Sequence, residues 1–253
     1  MLRKAFKMYH AAIENSIMTS WGSFALNDKL WVQGKYSSNL ALALRHLFKR
    51  SIDLVFSGLL ICFSLPLFVI IALTIKLTSK GPVFFRQERV GFRGKKFKIC
   101  KFRTMVHQDS ENEHKKYVEA LLKEAESSDN TEMLQKYAEY LDKRITKVGQ
   151  FLRISSLDEL PQFFNVWLGQ MSLVGPRPHP TYEVNSYKKW YIRRLDIKPG
   201  LTGWSKLNLR LTPQNYEEAI LYDLWYVDNW SIGLDLRILI MTIPFVLSTK
   251  DAT

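Results

Sequence analysis

The sequence predicts an α/β chain of mostly helical content, made of one membrane-embedded helical element and one small cytosolic domain with a short β-hairpin and amphipathic interfacial helices. Three observations predict it. Residues 54–75 carry no charge, residues 82–103 alternate as strand, turn and strand, and the remainder shows helical periodicity punctuated by glycine and proline. With 253 residues, 47% of them hydrophobic and 13% aromatic, the chain can bury a sizeable core.

Residues 1–44 form an N-terminal extension, in which Ile13, Ile17, Trp21 and Phe24 recur at helical spacing and predict a short helix, packed on the body or lying on a membrane surface. Residues 45–80 hold the membrane element. The run LVFSGLLICFSLPLFVIIALTI would rise about 33 Å as a straight helix, enough to cross a hydrocarbon core. Ser64 and Pro66 fall near its middle. Pro66 has no N–H to donate and its ring crowds the preceding turn, while the Ser64 hydroxyl can bond a carbonyl one turn back. A break or kink is expected there. Both flanks are basic, with Arg45, Lys49 and Arg50 before the run and Lys76, Lys80 and Arg86 after it. Positive charge marks the cytoplasmic side, so a helix that dips in, bends and returns satisfies both flanks. A spanning helix with a tolerated proline fits the apolar run as well.

Residues 81–253 make the cytosolic domain. Val83, Phe85, Phe97 and Ile99 predict two strands around a turn at Gly91–Gly94. The charged segment 110–143 reads as helices with solvated faces. Ser156 and Glu159 have capping-box spacing, which predicts a helix running to about Leu168 and stopping at Gly169. GPRPHP at 175–180 predicts a rigid irregular connection, and KPGLTGW at 198–204 a turn. Residues 216–228 have helical spacing. Residues 234–248 are apolar, contain Pro244, and are too short and broken to span, which fits an interfacial helix.

A formal net charge of +12 calls for a negatively charged partner: nucleic acid, an anionic membrane surface or phosphorylated substrates. No helix-turn-helix, RNA-binding or zinc signature is present, and basic residues gather beside the apolar run. Both facts favour the membrane over nucleic acid. Cys62 and Cys100 offer no disulfide framework, as in a reducing compartment, and the histidines lack ligand spacing. The apolar run begins too far along the chain for a cleaved leader.

The candidate chemistry centres on Asp158 and Glu159. Alone, acidic residues at a helix start are explained by the helix dipole. Joined to Lys101, Arg103, Arg153 and Arg177, the pair points to phosphoryl chemistry. One carboxylate attacks phosphorus, the other holds a metal or a proton, and the cations neutralise oxygens. Arg177, fixed between two prolines, suits bidentate phosphate capture. Arg210 and Asp223 are candidates for nucleotide contacts. A non-catalytic membrane-anchored scaffold explains the apolar run and the charge, but not the joint occurrence of LDEL, GPRP and KPGLTGW.

Three stretches carry a family resemblance: GPVFFRQERVGFRGKKFKICKFRTM, then SLDELPQFFNVWLGQMSLVGPRP, then KPGLTGW. In that order they closely resemble the bacterial initiating sugar transferases, the monotopic phosphoglycosyl transferases of capsule, exopolysaccharide, O-antigen and glycan assembly. The resemblance covers about residues 45–245. It implies transfer of a sugar 1-phosphate from a UDP-sugar to polyprenol (undecaprenyl) phosphate, with release of UMP and a requirement for Mg²⁺. It implies a re-entrant helix in the cytoplasmic leaflet of the bacterial inner membrane, with the catalytic domain facing the cytoplasm. It also implies that Asp158 is a nucleophile forming a covalent phosphosugar, with Glu159 beside it. Lys101, Arg153 and Arg177 match the family's cationic positions. Many members have Ser-Pro in direct succession. Here the order is Ser64-Leu65-Pro66, so Pro66 fits the pattern and Ser64 is displaced by one. The donor sugar is not legible, and a homo-oligomer is compatible with the sequence.

Overall fold

The computed structural model describes residues 40–106, 144–209 and 215–247. The helix expected around residues 13–24, the charged segment 110–143 and Arg210 lie outside the described residues.

A single long helix, α1 (Leu40–Thr78), dominates the molecule, followed by strands β1 (Phe84–Val90) and β2 (Lys96–Phe102). At about 1.5 Å per residue α1 is about 58 Å long. It is the one helix among the described residues long and apolar enough to cross a membrane. Of the break or kink expected at Ser64 and Pro66, the break is not formed: helical structure runs through Pro66. Ser64 Oγ does bond back, to Leu60 O at 2.6 Å and Ile61 O at 3.2 Å. Pro66 removes one backbone bond, and packing on both sides of it holds the helix together.

That packing follows one stripe. Lys49, Asp53 and Ser57 are buried, Ile61 and Ser64 are half-buried, and Phe68, Ile71 and Ile75 are buried again. Steps of three and four residues place all eight on one face. The face is polar towards the N-terminus, where Asp53 Oδ1 accepts from Ser172 Oγ at 3.0 Å and the Leu173 N–H at 2.9 Å. It is apolar beyond, where Phe68, Ile71 and Ile75 cluster with Phe102 and Leu152. The opposite face leaves Leu59, Phe63, Val69, Ile70 and Leu73 exposed.

β1 and β2 are antiparallel, with Phe84 opposite Phe102 and Val90 opposite Lys96. A short 3-10 turn, Phe92–Gly94, joins them. Helices α2 (Lys147–Ile154) and α3 (Gln162–Trp167) come next, then β3 (Ser172–Val174), β4 (His179–Pro180) and α4 (Thr181–Asn185). After a 3-10 stretch, Lys189–Asp196, come β5 (Gly200–Thr202), α5 (Trp204–Asn208), α6 (Tyr216–Asp228) and α7 (Ile232–Leu247).

Two segments expected to be irregular take part in sheets. β4 extends the hairpin as a third strand, pairing Arg89 with Pro180 and Val90 with His179. β5, within KPGLTGW, pairs in parallel with β3, Ser172 to Gly200 and Val174 to Thr202. Glycine permits this close approach. A Cβ on Gly200 would lie 2.0 Å from the Gly175 nitrogen, and one on Gly175 would lie 2.3 Å from the Lys198 carbonyl oxygen. The main core gathers Phe97 and Ile99 of β2, Phe163 and Val166 of α3, Leu173 and Val174 of β3, Tyr226 of α6 and Ile238 of α7.

The C-terminal helices lock onto α1. Lys49 Nζ donates to Asp235 Oδ2 at 2.5 Å and to Val174 O at 3.1 Å. Asp235 also accepts from the Tyr226 hydroxyl and the Trp230 indole N–H. α7 runs as one helix through Pro244, with Leu236, Ile240 and Ile243 exposed.

Candidate active site

Lys101 leaves the end of β2 and reaches the turn that carries the acidic pair. The expected capping box is not formed. Ser156 lies in the left-handed region at φ 55° and makes no side-chain cap. A non-glycine residue there is strained, and the turn it makes separates α2 from a 3-10 turn, Leu157–Glu159. α3 begins only after Pro161 and ends at Leu168, ahead of Gly169 at φ 77°. Glu159 is thereby free of the helix and turned towards lysines.

The geometry is compact. Lys101 Nζ lies 2.7 Å from Glu159 Oε1 and 3.7 Å from Asp158 Oδ2, so one ammonium bridges the pair. Lys206 Nζ, from α5, lies 2.8 Å from Glu159 Oε2. Lys206 was not among the residues singled out from sequence. Its signal is its place two residues after KPGLTGW, close enough to be carried into the same site. Arg153 donates from Nε to Thr104 Oγ1 at 3.0 Å and acts electrostatically on Asp158. Arg177 has an exposed side chain whose charge acts on Glu159.

The two carboxylates are driven apart. Burial pushes Asp158 above the ordinary carboxylate range; Lys101 opposes the shift and the Glu159 charge adds to it. Burial alone would raise Glu159 too, but Lys101, Lys206 and Arg177 hold it well below that range. Glu159 is held towards its carboxylate form, and Asp158 is the more basic, desolvated member of the pair. Pairs so separated are typical of sites that divide two tasks between two acids.

Arg103 is not part of this cluster. It is buried and donates to Lys80 O at 2.6 Å, Ser79 O at 2.9 Å and Ser79 Oγ at 2.7 Å, clamping the chain leaving α1. Its reading as a phosphate ligand is corrected, because both terminal nitrogens are spent on Lys80 and Ser79. Asp223 is corrected likewise. It is buried and paired with Arg194 and with Ser205 Oγ at 2.6 Å, which leaves no face for a nucleotide. Ser64 and Pro66 lie in α1, apart from the pair.

The GPRP loop is fixed from beneath. Arg89 Nη1 donates to Pro178 O at 3.0 Å, and Arg194 Nη2 donates to Arg177 O at 2.9 Å. Arg194 Nη1 also donates to His179 Nδ1 at 2.7 Å. A guanidinium can only donate, so Nδ1 carries a lone pair and His179 is neutral. Burial and the neighbouring Arg194, Arg89 and Arg177 push its pKa well down. Among the described residues no group of three or more His, Cys, Asp or Glu is placed to hold a metal ion. Asp158 and Glu159 alone fit a Mg²⁺ that keeps its waters and arrives with phosphate groups, not a protein-caged one.

A long apolar helix alongside a carboxylate pair ringed by cations defines a membrane-associated protein with a site suited to phosphate. The chain matches the family described as bacterial sugar transferase over residues 44–249, and it belongs to that family. It is 41% identical over 203 residues to a UDP-glucose:undecaprenyl-phosphate glucose-1-phosphate transferase of Klebsiella pneumoniae, covering 78% of this chain and 39% of that protein. A protein of the same name from Caulobacter vibrioides is 38% identical over 211 residues, covering 81% and 71%. A UDP-galactose-lipid carrier transferase of Erwinia amylovora is 38% identical over 221 residues, covering 86% and 44%. The chain thus spans about two fifths of the length of several relatives it resembles.

Proposed function

We propose that this protein transfers a sugar 1-phosphate from a UDP-sugar to undecaprenyl phosphate on the cytoplasmic side of the bacterial inner membrane, with UMP as the other product. The observation that carries the reading is the divided pair, a raised Asp158 beside an ionised Glu159 that two lysines hold.

An Asp158 oxygen attacks the sugar-side phosphorus of the donor, and the bond from that phosphorus to the bridging oxygen breaks. UMP leaves with the bridging oxygen, and an aspartyl phosphosugar remains. An oxygen of the lipid phosphate then attacks the same phosphorus, releasing Asp158 as carboxylate. Lys101 and Arg177 neutralise the oxygens on which charge accumulates, and Lys206 holds Glu159 in place. Glu159 and Asp158 would hold a Mg²⁺, which would supply neutralisation of the diphosphate.

The membrane reading is that α1 enters and leaves the cytoplasmic leaflet on one side, bending at Pro66. Two features support it. The same domain grips α1 at Lys49 and Arg50 and also beyond its end at Ser79 and Lys80, about 46 Å apart along a straight path. A domain lying on one side of a bilayer core about 30 Å thick does not reach both ends of a straight spanning helix. The buried stripe also continues on both sides of Pro66, from Lys49 to Ile75.

The test is UMP release from a panel of UDP-sugars with undecaprenyl phosphate and Mg²⁺. Turnover is expected in the wild type and none in Asp158→Asn, which remains folded and membrane-bound. Near-normal turnover in Asp158→Asn would end this reading.

A further inference from the structure

We propose that Asp223 is a positioning residue: through Arg194 on one side and Ser205 on the other, it fixes the Arg177 loop and the Lys206 helix relative to each other across the carboxylate pair. The inference rests on the proposed function of that pair.

The connections form a continuous path. Asp223, on α6, is only 3% exposed. Its Oδ2 accepts from Arg194 Nη2, and the same nitrogen donates to the Arg177 carbonyl at 2.9 Å. Its Oδ1 accepts from Ser205 Oγ at 2.6 Å. Ser205 immediately precedes Lys206, whose ammonium meets Glu159 at 2.8 Å. One buried carboxylate therefore reaches both cationic arms from behind.

Two physical arguments give this path a job. A buried ion pair is a poor way to gain stability, because desolvating both charges offsets most of their attraction. Holding a geometry is its better use. Moreover, α5 is a five-residue helix with no side-chain cap, too short to hold its own orientation. External contacts must set the direction in which Lys206 points. Besides Lys206 itself, these include the Ser205–Asp223 bond, the stack of Trp204 on Trp225, with ring centroids 5.2 Å apart, and the packing of Trp204 and Leu207 on the main core. The stack keeps α5 docked when the hydroxyl is removed. Ser205→Ala thus tests orientation without unfolding the helix.

The experiment compares full-length wild type, Ser205→Ala, Ser205→Thr and Asp223→Asn with the UDP-sugar that supports wild-type turnover. In Ser205→Ala, kcat should fall about tenfold while KM for the donor changes less than about threefold, since the loss lies in alignment and not in ground-state binding. Ser205→Thr keeps the hydroxyl and should recover most of the loss. Asp223→Asn, which weakens both arms, should lose at least as much as Ser205→Ala; if it fails to fold, the Ser205 pair decides. Unchanged kcat in Ser205→Ala would overturn the proposal. So would a loss expressed only in KM, or one that Ser205→Thr does not relieve. Asp158→Asn separates the failures: inactive Asp158→Asn beside fully active Ser205→Ala removes only the positioning role, whereas active Asp158→Asn removes the functional reading and this inference together.

Discussion

His179 shows how far a single neutral ring can be committed by its neighbours. Its Nδ1 accepts from Arg194, with the Tyr187 hydroxyl at 2.7 Å, the Tyr216 hydroxyl at 3.2 Å and Glu183 Oε2 at 3.0 Å around it. The folded pKa is depressed, so the native state refuses a proton that the unfolded chain takes up below about 6.5. Stability from this residue is present above that value and is lost as pH falls below it. The melting temperature should therefore drop between about pH 7 and about pH 5, and His179→Asn should flatten part of the slope. An equal slope in that variant, measured by thermal unfolding in detergent, would contradict the assignment. Residue-scale reading of the sequence singled out groups that the fold brings near one another: Lys101 contacts Asp158 and Glu159, and the charges of Arg153 and Arg177 act on the pair. It failed at Arg103 and Asp223, because a charged side chain spent on buried partners looks the same in sequence as one left free for a ligand.

At the scale of elements, the local pattern was legible and the long-range pairing was not. Alternation at Val83–Phe85 and Phe97–Ile99 marks β1 and β2, and the helical spacing of residues 216–228 marks α6. β3, β4 and β5 have three, two and three residues, too few to show a period, and their partners lie far away in sequence. The capping-box reading failed because Ser156 takes left-handed geometry, and Pro161 then delays α3. α2 depends on a close contact that sequence also hides. Thr146 caps it, and Gly149 lies against the Thr104 carbonyl, where an added Cβ would sit 1.9 Å from oxygen. Gly149→Ala must push α2 off that strand end, at a cost of about 1–3 kcal/mol. A melting temperature equal to wild type would show that α2 can move freely.

For the whole molecule, the question is on which side of the bilayer the two ends of α1 emerge. With Cys62 and Cys100 replaced by serine, single cysteines at Arg45 and at Thr78 should both react with a membrane-impermeant maleimide in inverted vesicles, and neither in intact spheroplasts. Labelling from opposite sides would show that α1 spans. The apolar run and its basic flanks were visible in sequence, but they left both topologies standing. What the chain alone did not display is the stripe of polar and apolar contacts by which the domain lies along the helix.

The clamp made by Arg103 has a mechanical corollary. Lys101 and Arg103 are two residues apart at the end of β2, one holding the carboxylate pair and the other the chain leaving α1. They work as the jaws of a caliper set at about 7 Å, two strand residues. Under the proposed function, that spacing would set the height of the carboxylate pair above the bilayer in pleats. Adding one residue between the jaws would turn one of them to the wrong side, and adding two would lift the carboxylate pair away from the clamp and, under the proposed function, from the lipid headgroup it serves.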